Sequence, residues 1–411
     1  MGNAGVAFFT SPRLSAPVGN GSSLLVKHLG ETIILKVFLM KLPAFKLERF
    51  LAQYEFKAPY LLCSSDCESM SIDELLSLEP NASHDFHSSW LGYTETLGSP
   101  ALRQEIARTY QHIDIDEILV HAGAEEAIFI FMNVALEPGD HVIVHFPCYQ
   151  SLGAIAQSIG CEVSWWLTHE ADRWELDVDW LRQAIQPNTK AIVINCPHNP
   201  TGYMMSKAKL EEVVAIARQH NLLLFSDEVY RFLEQRDEDR LPVACDLYER
   251  AVSLGVMSKT YGLAGLRIGW IATRNRELYQ AMAAFKDYTS ICNSAPSEFL
   301  AMLALRHREK IIQRNRAIIR ANLQVCDRFF AERADVFNWI PPKGGSTAFP
   351  RLKLEVNVED FCIDLVNKQG VLLLPGSCFD YSDKHFRLGL GRKNLPECIE
   401  RLEDYLRAMY L

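Results

Sequence analysis

From about residue 100 the chain alternates short apolar runs with amphipathic ones. The apolar runs are "EILVHAG", "GDHVIVHFP", "CEVSWWL", "KAIVINCP", "LLLFSDE", "AVSLGVMS" and "RIGWIAT". They lack polar alternation, which predicts strands covered on both faces in a parallel or mixed α/β sheet. Between them lie helix-like stretches. "ALRQEIARTY" carries Leu102, Ile106 and Tyr110 at helical spacing, and "KLEEVVAIARQH" places Leu210, Val213, Val214 and Ala217 on one stripe. "AEEAIFIFMNVAL" and "SLGAIAQSIG" also read as helices. After about residue 305 the pattern changes. "RHREKIIQRNRAIIRANLQVCDRFFAE" predicts one long basic amphipathic helix, solvated and linking domains. The strand-like segments "STAFPRLKL", "VLLLPGS" and "HFRLGLG" follow, then a terminal helix. The expectation is an α/β fold with a mixed, mostly parallel sheet in a large domain of residues 80–305. A smaller α+β domain is expected from residues 40–79 with 306–411.

Residues 1–39 hold a single acidic residue, Glu31, and show no clear periodicity. They read as a poorly ordered N-terminal extension, with "MKLPAFKLERF" opening the folded protein; an organelle-targeting role is the alternative. "ETIILKVFLM" is interrupted by Lys36 and is too short to span a bilayer. Its late position, without an A-x-A site, does not fit a signal peptide. Val6 stands where a myristoylation signal needs Ser or Thr.

The 411 residues suffice for two domains with a large core. The net charge of −9, with no basic run, gives no footprint for nucleic acid. Eleven cysteines are scattered without a C-x-x-C pair, so reduced, buried thiols and a cytoplasmic setting are expected. His84 with His87, and His141 with His145, have metal-ligand spacing, but no second cluster completes either, so no metal is expected.

Ligands of open α/β sheets gather at the carboxyl ends of strands. Those ends carry a distinct set here. Gly123, Ala124 and Glu125 open a helix whose N–H groups can close on an anion. Tyr149, Asn199, Asp227 with Tyr230, and Ser258-Lys259 follow the next strands, and Arg267 stands eight residues beyond Lys259. An aldehyde cofactor would make Lys259 a reactive imine. Pyridoxal 5'-phosphate further needs a carboxylate for its pyridinium proton, donors to its ring oxygen, a flat cover and a phosphate site. Asp227 offers the first, Asn199 and Tyr230 the second, and Tyr149 the third. Gly123, Ala124, Ser258 and Arg267 offer the last. Glycines 262 and 265 are expected to turn the chain so that Arg267 reaches the phosphate with Ser258.

"HNPTG", "SDEVY", "SKTYGLAGLRIGW" and "FRLGLG" occur in order, with 28 residues from Asn199 to Asp227. Over residues 80–395 the chain thereby resembles the fold-type I pyridoxal-phosphate enzymes, specifically the class I/II aminotransferases. The resemblance implies the aspartate-aminotransferase-like fold and a Schiff base on Lys259, which also shuttles the proton. It makes Lys259, Asp227 and Tyr230 catalytic, and adds Arg387 with Asn199 as the grip on the substrate α-carboxylate. Tyr93 in "LGYTETLGSPALR" matches a tyrosine that reaches a neighbouring subunit's phosphate, which implies a homodimer. Plainer roles stand beside these: core filler for Tyr149, ion-pair partner for Arg387, a packed or exposed tyrosine for Tyr93.

Two departures from the family bear on substrate. Val256 stands where many relatives carry a hydroxyl residue three positions before the lysine. The stretch around Ser64-Ser65-Asp66 replaces a glycine-containing turn, and with Gly344–Arg351 it is expected to shape the substrate pocket. "CSSD" and "GGSTAFPRL" resemble the capreomycidine-synthase-like branch, in which the same apparatus cyclises an arginine derivative. The leading expectation is amino transfer from an amino acid to a 2-oxo acid. Elimination, including the C–S lyase kind, replacement or cyclisation on the same cofactor is the alternative. A cofactor-sensing regulator would need a DNA-binding module that residues 1–40 are too short to supply. No G-x-G-x-x-G supports a nicotinamide enzyme.

Overall fold

The computed structural model describes residues 41–410, together with the backbone of two strands, Ser22–His28 (β1) and Glu31–Val37 (β2). The chain divides into two compact units, Met1–Lys41 and Leu42–Leu411. In the first, β1 and β2 pair antiparallel, with Ser22 opposite Val37 and His28 opposite Glu31. The remainder of the expected extension over residues 1–39 lies outside the described residues.

The second unit is built on seven strands. After the short strand Tyr60–Leu61 (β3) come Ile118–His121 (β4), His141–Phe146 (β5), Glu162–Leu167 (β6) and Thr189–Asn195 (β7). Leu223–Asp227 (β8), Ala251–Val256 (β9) and Gly269–Ala272 (β10) complete the sheet. The order is β4-β10-β9-β8-β7-β5-β6. Strands β5 to β9 pair in parallel, and only β10 runs against its neighbours β4 and β9. The sheet is mixed and mostly parallel, as the unalternated apolar runs predict. Every residue of β4, β8, β9 and β10 is buried, because helices cover both faces. The helix Lys207–Gln219 turns its predicted stripe, Leu210, Val213, Val214 and Ala217, into this core. Its first turn is capped by the Ser206 hydroxyl, which accepts the Lys209 N–H at 3.2 Å.

Beyond the sheet the strands shorten. The long helix Arg308–Glu332 forms as its pattern predicts, but it does more than link. It buries Ile311, Ile312, Ile319, Cys326, Phe329 and Phe330 along one face. Two asparagines interrupt that face and are buried with it. Asn315 donates to the Thr260 carbonyl at 2.9 Å. Asn322 donates to the Leu390 and Arg392 carbonyls at 2.8 and 2.7 Å. The helix thus ties the turn after Lys259 to the strand Phe386–Gly389. The strand-like segment "STAFPRLKL" yields only two-residue strands, Thr347–Ala348 and Arg351–Leu352.

The "FRLGLG" glycines have a steric reason. The loop after β3 runs across them: Gly389 N–H donates to the Leu62 carbonyl at 2.7 Å, and Glu68 N–H to the Gly391 carbonyl at 2.8 Å. A Cβ on Gly389 would stand 1.9 Å from the Ser64 oxygen, and one on Gly391 2.1 Å from the Asp66 oxygen. Both obstacles are backbone, so neither gives way cheaply. The Gly389→Ala protein is therefore expected to lose about 1–3 kcal/mol of stability in denaturant unfolding. Unchanged stability would show that the loop is free to move aside.

Candidate active site

The carboxyl ends of β4, β5, β7, β8 and β9 open on one cavity of about 560 Å³. Its lining includes Ala124, Glu125, Tyr149, Asn199, Asp227, Tyr230, Ser258, Lys259, Arg267 and Arg387. Gly123 adjoins it: a Cβ there would lie 2.4 Å from an Arg267 guanidinium nitrogen. Of the residues predicted to touch cofactor or the substrate carboxylate, Tyr93 alone is elsewhere. It is 87% exposed and does not line this chain's cavity.

The reversed strand explains how Arg267 arrives. Gly269 at the start of β10 pairs with His121 at the end of β4 and with Val256 at the end of β9. The residue two before Gly269 therefore stands among strand carboxyl ends. Arg267 itself takes a left-handed backbone, φ +52°. The turn needs glycine at 262, where φ is +68° and a Cβ would meet the Glu68 oxygen at 2.8 Å. Gly265 differs from expectation. Its φ is not positive and a Cβ there meets nothing within 4 Å, so the turn does not depend on it.

Asp227 ends β8 with 6% exposure. One oxygen accepts the Val229 N–H at 3.2 Å, and burial pushes its pKa up to about 7 despite that bond and the charge of Lys259. Lys259 donates from Nζ to the Ser65 hydroxyl at 2.9 Å. Burial lowers its pKa, with Arg387 adding to the effect and Asp66 and Asp227 opposing it. The Tyr230 hydroxyl is buried beside Ser65 without a hydrogen bond of ordinary geometry, and burial raises its pKa. Tyr149 donates to Glu48 at 3.3 Å and packs on Phe45 with ring centroids 5.0 Å apart. Glu125 accepts from the Ser151 hydroxyl at 3.1 Å, and its pKa is raised by burial.

Arg387 is 3% exposed. It donates to the Cys63 carbonyl at 3.1 Å and to Asn199 Oδ1 at 3.3 Å, and its guanidinium lies 5.6 Å from the Phe379 ring centre. No carboxylate pairs with it among the described residues, which removes the ion-pair alternative. Ser64, Ser65 and Asp66 line the cavity as expected. Gly344–Arg351 do not. They stand behind, where the Ser346 hydroxyl donates to the Ser65 carbonyl at 2.6 Å. All eleven cysteines are free, and ten are buried. His141 is spoken for by Thr189 and Ser164 at 2.7 and 2.8 Å, and His145 stacks on His198. No described helix is long and apolar enough to cross a membrane.

Residues 60–402 match the family described as aminotransferase class I and II. The chain belongs to this family. A PLP-dependent aminotransferase from Streptococcus suis is 35% identical, with a TM-score of 0.85 over 90% of this chain and 100% of that one. Capreomycidine synthase from Streptomyces vinaceus is 28% identical over 85% of this chain and 90% of its own length. A probable N-succinyldiaminopimelate aminotransferase from Mycobacterium tuberculosis is 33% identical over 70% of this chain and 74% of its own length. This member of the aminotransferase family is a pyridoxal-phosphate-dependent transferase. Its cavity fits that cofactor: a buried acid without an ion-pair partner, a buried phenol without an acceptor, and a glycine cradle beside an unpaired guanidinium.

Three polar lining residues escape the sequence reading. Asn195 ends β7, accepts the Asn199 N–H at 2.7 Å and donates to the Asp227 carbonyl at 3.0 Å, so it ties two strand ends together. It obeys the same strand-end rule as the others and was open to it. Glu48 and Glu55 come from the helix Lys46–Tyr54 and its C-cap. Nothing in their spacing separates them from a solvated face.

The raised pKa of Asp227 carries a stability signature. With cofactor removed, the folded protein keeps a proton that the unfolded chain has lost, over a window from about pH 4 to pH 7. Folded stability therefore falls with rising pH across it. Cofactor-free Asp227→Asn lacks this loss, so its melting temperature is expected to gain on cofactor-free wild type between pH 4 and pH 8. A constant difference across that range would show that Asp227 is ionised throughout.

Proposed function

We propose that the enzyme moves an amino group from an amino acid to a 2-oxo acid, with Lys259 as the group that carries the proton. The observation behind this is Lys259 in one cavity with a buried, unpaired acid and a buried, unpaired guanidinium, Asp227 and Arg387. When bound, pyridoxal phosphate supplies an aldehyde that condenses with amines and a ring that withdraws electrons from the substrate's Cα. Asp227 holds a proton on the ring nitrogen, and its raised pKa falls once that positive charge is its neighbour. Tyr230 and Asn199 hold the ring oxygen, and Tyr149 covers the ring. Ser258, Arg267 and the N–H groups of Gly123, Ala124 and Glu125 hold the phosphate at the helix N-terminus. Arg387 with Asn199 orients the substrate carboxylate. Lys259 Nζ would take the proton from Cα and deliver it to the carbon of the cofactor's former aldehyde, a task helped by burial that favours its neutral form.

A second reading, cyclisation or elimination on the same cofactor, is favoured by the likeness to capreomycidine synthase. The products decide. With amino donors, purified enzyme is expected to release 2-oxo acids, and borohydride is expected to fix the cofactor on Lys259. Lys259→Ala should turn over at least about 10²-fold more slowly. Consumption of donors without 2-oxo acid would move the assignment to the second reading, and fixation on another lysine would overturn the role of Lys259.

The active form proposed is a cytoplasmic homodimer. Residues 80–305 would hold the cofactor, and 40–79 with 306–411 would form the smaller lobe. Tyr93 supports the dimer. Trp90, Leu91 and Tyr93 are 81%, 78% and 87% exposed, an apolar run that another copy would cover. In that dimer Tyr93 donates to the partner's phosphate. Mixing Lys259→Ala chains with Tyr93→Phe chains should then give hybrids with one intact site and one doubly defective site. Hybrids should regain about half the wild-type activity, and Tyr93→Phe alone should weaken cofactor binding by roughly 1.5–3 kcal/mol. A fully active monomer in sedimentation, or hybrids no better than their parents, would refute the shared site.

A further inference from the structure

The charges lining the cavity do not cancel. Three cations face it, Lys259, Arg267 and Arg387. The carboxylates facing it are Glu48, Glu55, Asp66, Glu125 and Asp227. Asp66 is satisfied by Arg392, with both oxygens 2.9 Å from one guanidinium nitrogen. Glu125 is held by the Ser151 hydroxyl. Under the function proposed above, the cofactor takes up Lys259, Arg267 and Asp227, and the substrate's α-carboxylate takes up Arg387. Glu48 and Glu55 remain.

These two stand on one wall. They are seven residues apart, two turns of helix, with Leu51 between them on the same lining. Glu48 has one long hydrogen bond, from the Tyr149 hydroxyl at 3.3 Å. The Glu55 side chain has neither a hydrogen bond nor an ion pair among the described residues. Its pKa is raised by burial first, then by Glu48 and Asp66, while Arg392 and Arg387 oppose the shift. Arg387 is buried, lines the same cavity and pairs with neither carboxylate. A buried guanidinium and two acids with no cationic partner among the described residues, all in one cavity, imply a ligand that brings both counter-charges.

We propose that Glu48 and Glu55 select an amino acid whose side chain is cationic, binding its ammonium or guanidinium head while Arg387 binds its α-carboxylate. Neutral side chains of equal length leave the two acids unpaired. Shorter acidic ones meet like charge. The selection rests on the orientation of substrate by Arg387, so it depends on the reading given above, but not on which products form.

Binding separates the two. Borohydride-reduced holoenzyme cannot turn over, so calorimetry with L-arginine, L-lysine and L-citrulline reads recognition alone. L-Citrulline matches arginine in shape without its charge. Arginine or lysine should bind about tenfold or more tightly than citrulline. Glu55→Gln should shrink that ratio several-fold, and Glu48→Gln with Glu55→Gln should bring it close to one. Equal binding of arginine and citrulline by wild type overturns the proposal. So does a double variant that keeps the ratio. Should arginine bind selectively yet give no 2-oxo acid with unreduced enzyme, the selection stands and the amino-transfer reading falls. Circular dichroism of the variants, matched to wild type, guards the comparison against misfolding. If Glu48→Gln with Glu55→Gln does not fold, Glu55→Gln alone decides: an unchanged ratio there is against the proposal.

Discussion

A carboxylate buried at the end of a strand, with one backbone N–H for company, is an expensive thing to fold around. Asp227 is that group, and burial pushes its pKa up to about 7. The fold tolerates it because Leu223, Leu224 and Phe225 of the same strand are packed in the core. Asn195 fixes its backbone to the Asn199 loop, and Lys259 stands across the cavity as a second group that burial unsettles. Arg387 repeats the theme with the opposite sign. The site is a set of charges held apart by the scaffold, each short of a partner that only ligands supply. Preorganised charges of this kind need no rearrangement during the reaction.

The topology provides the separation. Parallel strands present their carboxyl ends in a row, and the helix N-terminus after Gly123 adds amide donors to it. One strand reversed between β4 and β9 brings a side chain that precedes a strand into that row. Without the reversal Arg267 would emerge at the opposite edge of the sheet, where no anion cradle waits.

Much of this was legible in the chain. Apolar runs without alternation described a sheet covered on both faces, and polar residues after five of the seven runs line the cavity. Local chemistry carries such information, because a strand end is adjacent in sequence to its own loop. What was illegible is what arises between distant segments. Glu48 and Glu55 look like any amphipathic helix's wet face until the fold turns that face toward Arg387. Gly389 and Gly391 were visible as part of a motif, but their reason is a loop more than three hundred residues earlier. Gly265 shows the converse: a glycine amid a functional motif whose backbone and surroundings make no demand for one.

The passage of the Ser64–Glu68 loop over Gly389 and Gly391 has a consequence for how the protein is made. The bond from Lys393 N–H to the Glu68 carboxylate spans 325 residues, and Asp66 grips Arg392 across a similar distance. Strands β4 to β10 are complete by residue 272, so a ribosome releases the whole sheet well before it releases the glycines. Domains fold in order of emergence, and long-range closures come late. The loop that holds Lys259 through Ser65 therefore gains its seat only when Gly389 to Lys393 arrive. Until then the nascent chain carries a formed sheet with an unfinished pocket, and cofactor capture waits for the segment from Gly389 to Lys393.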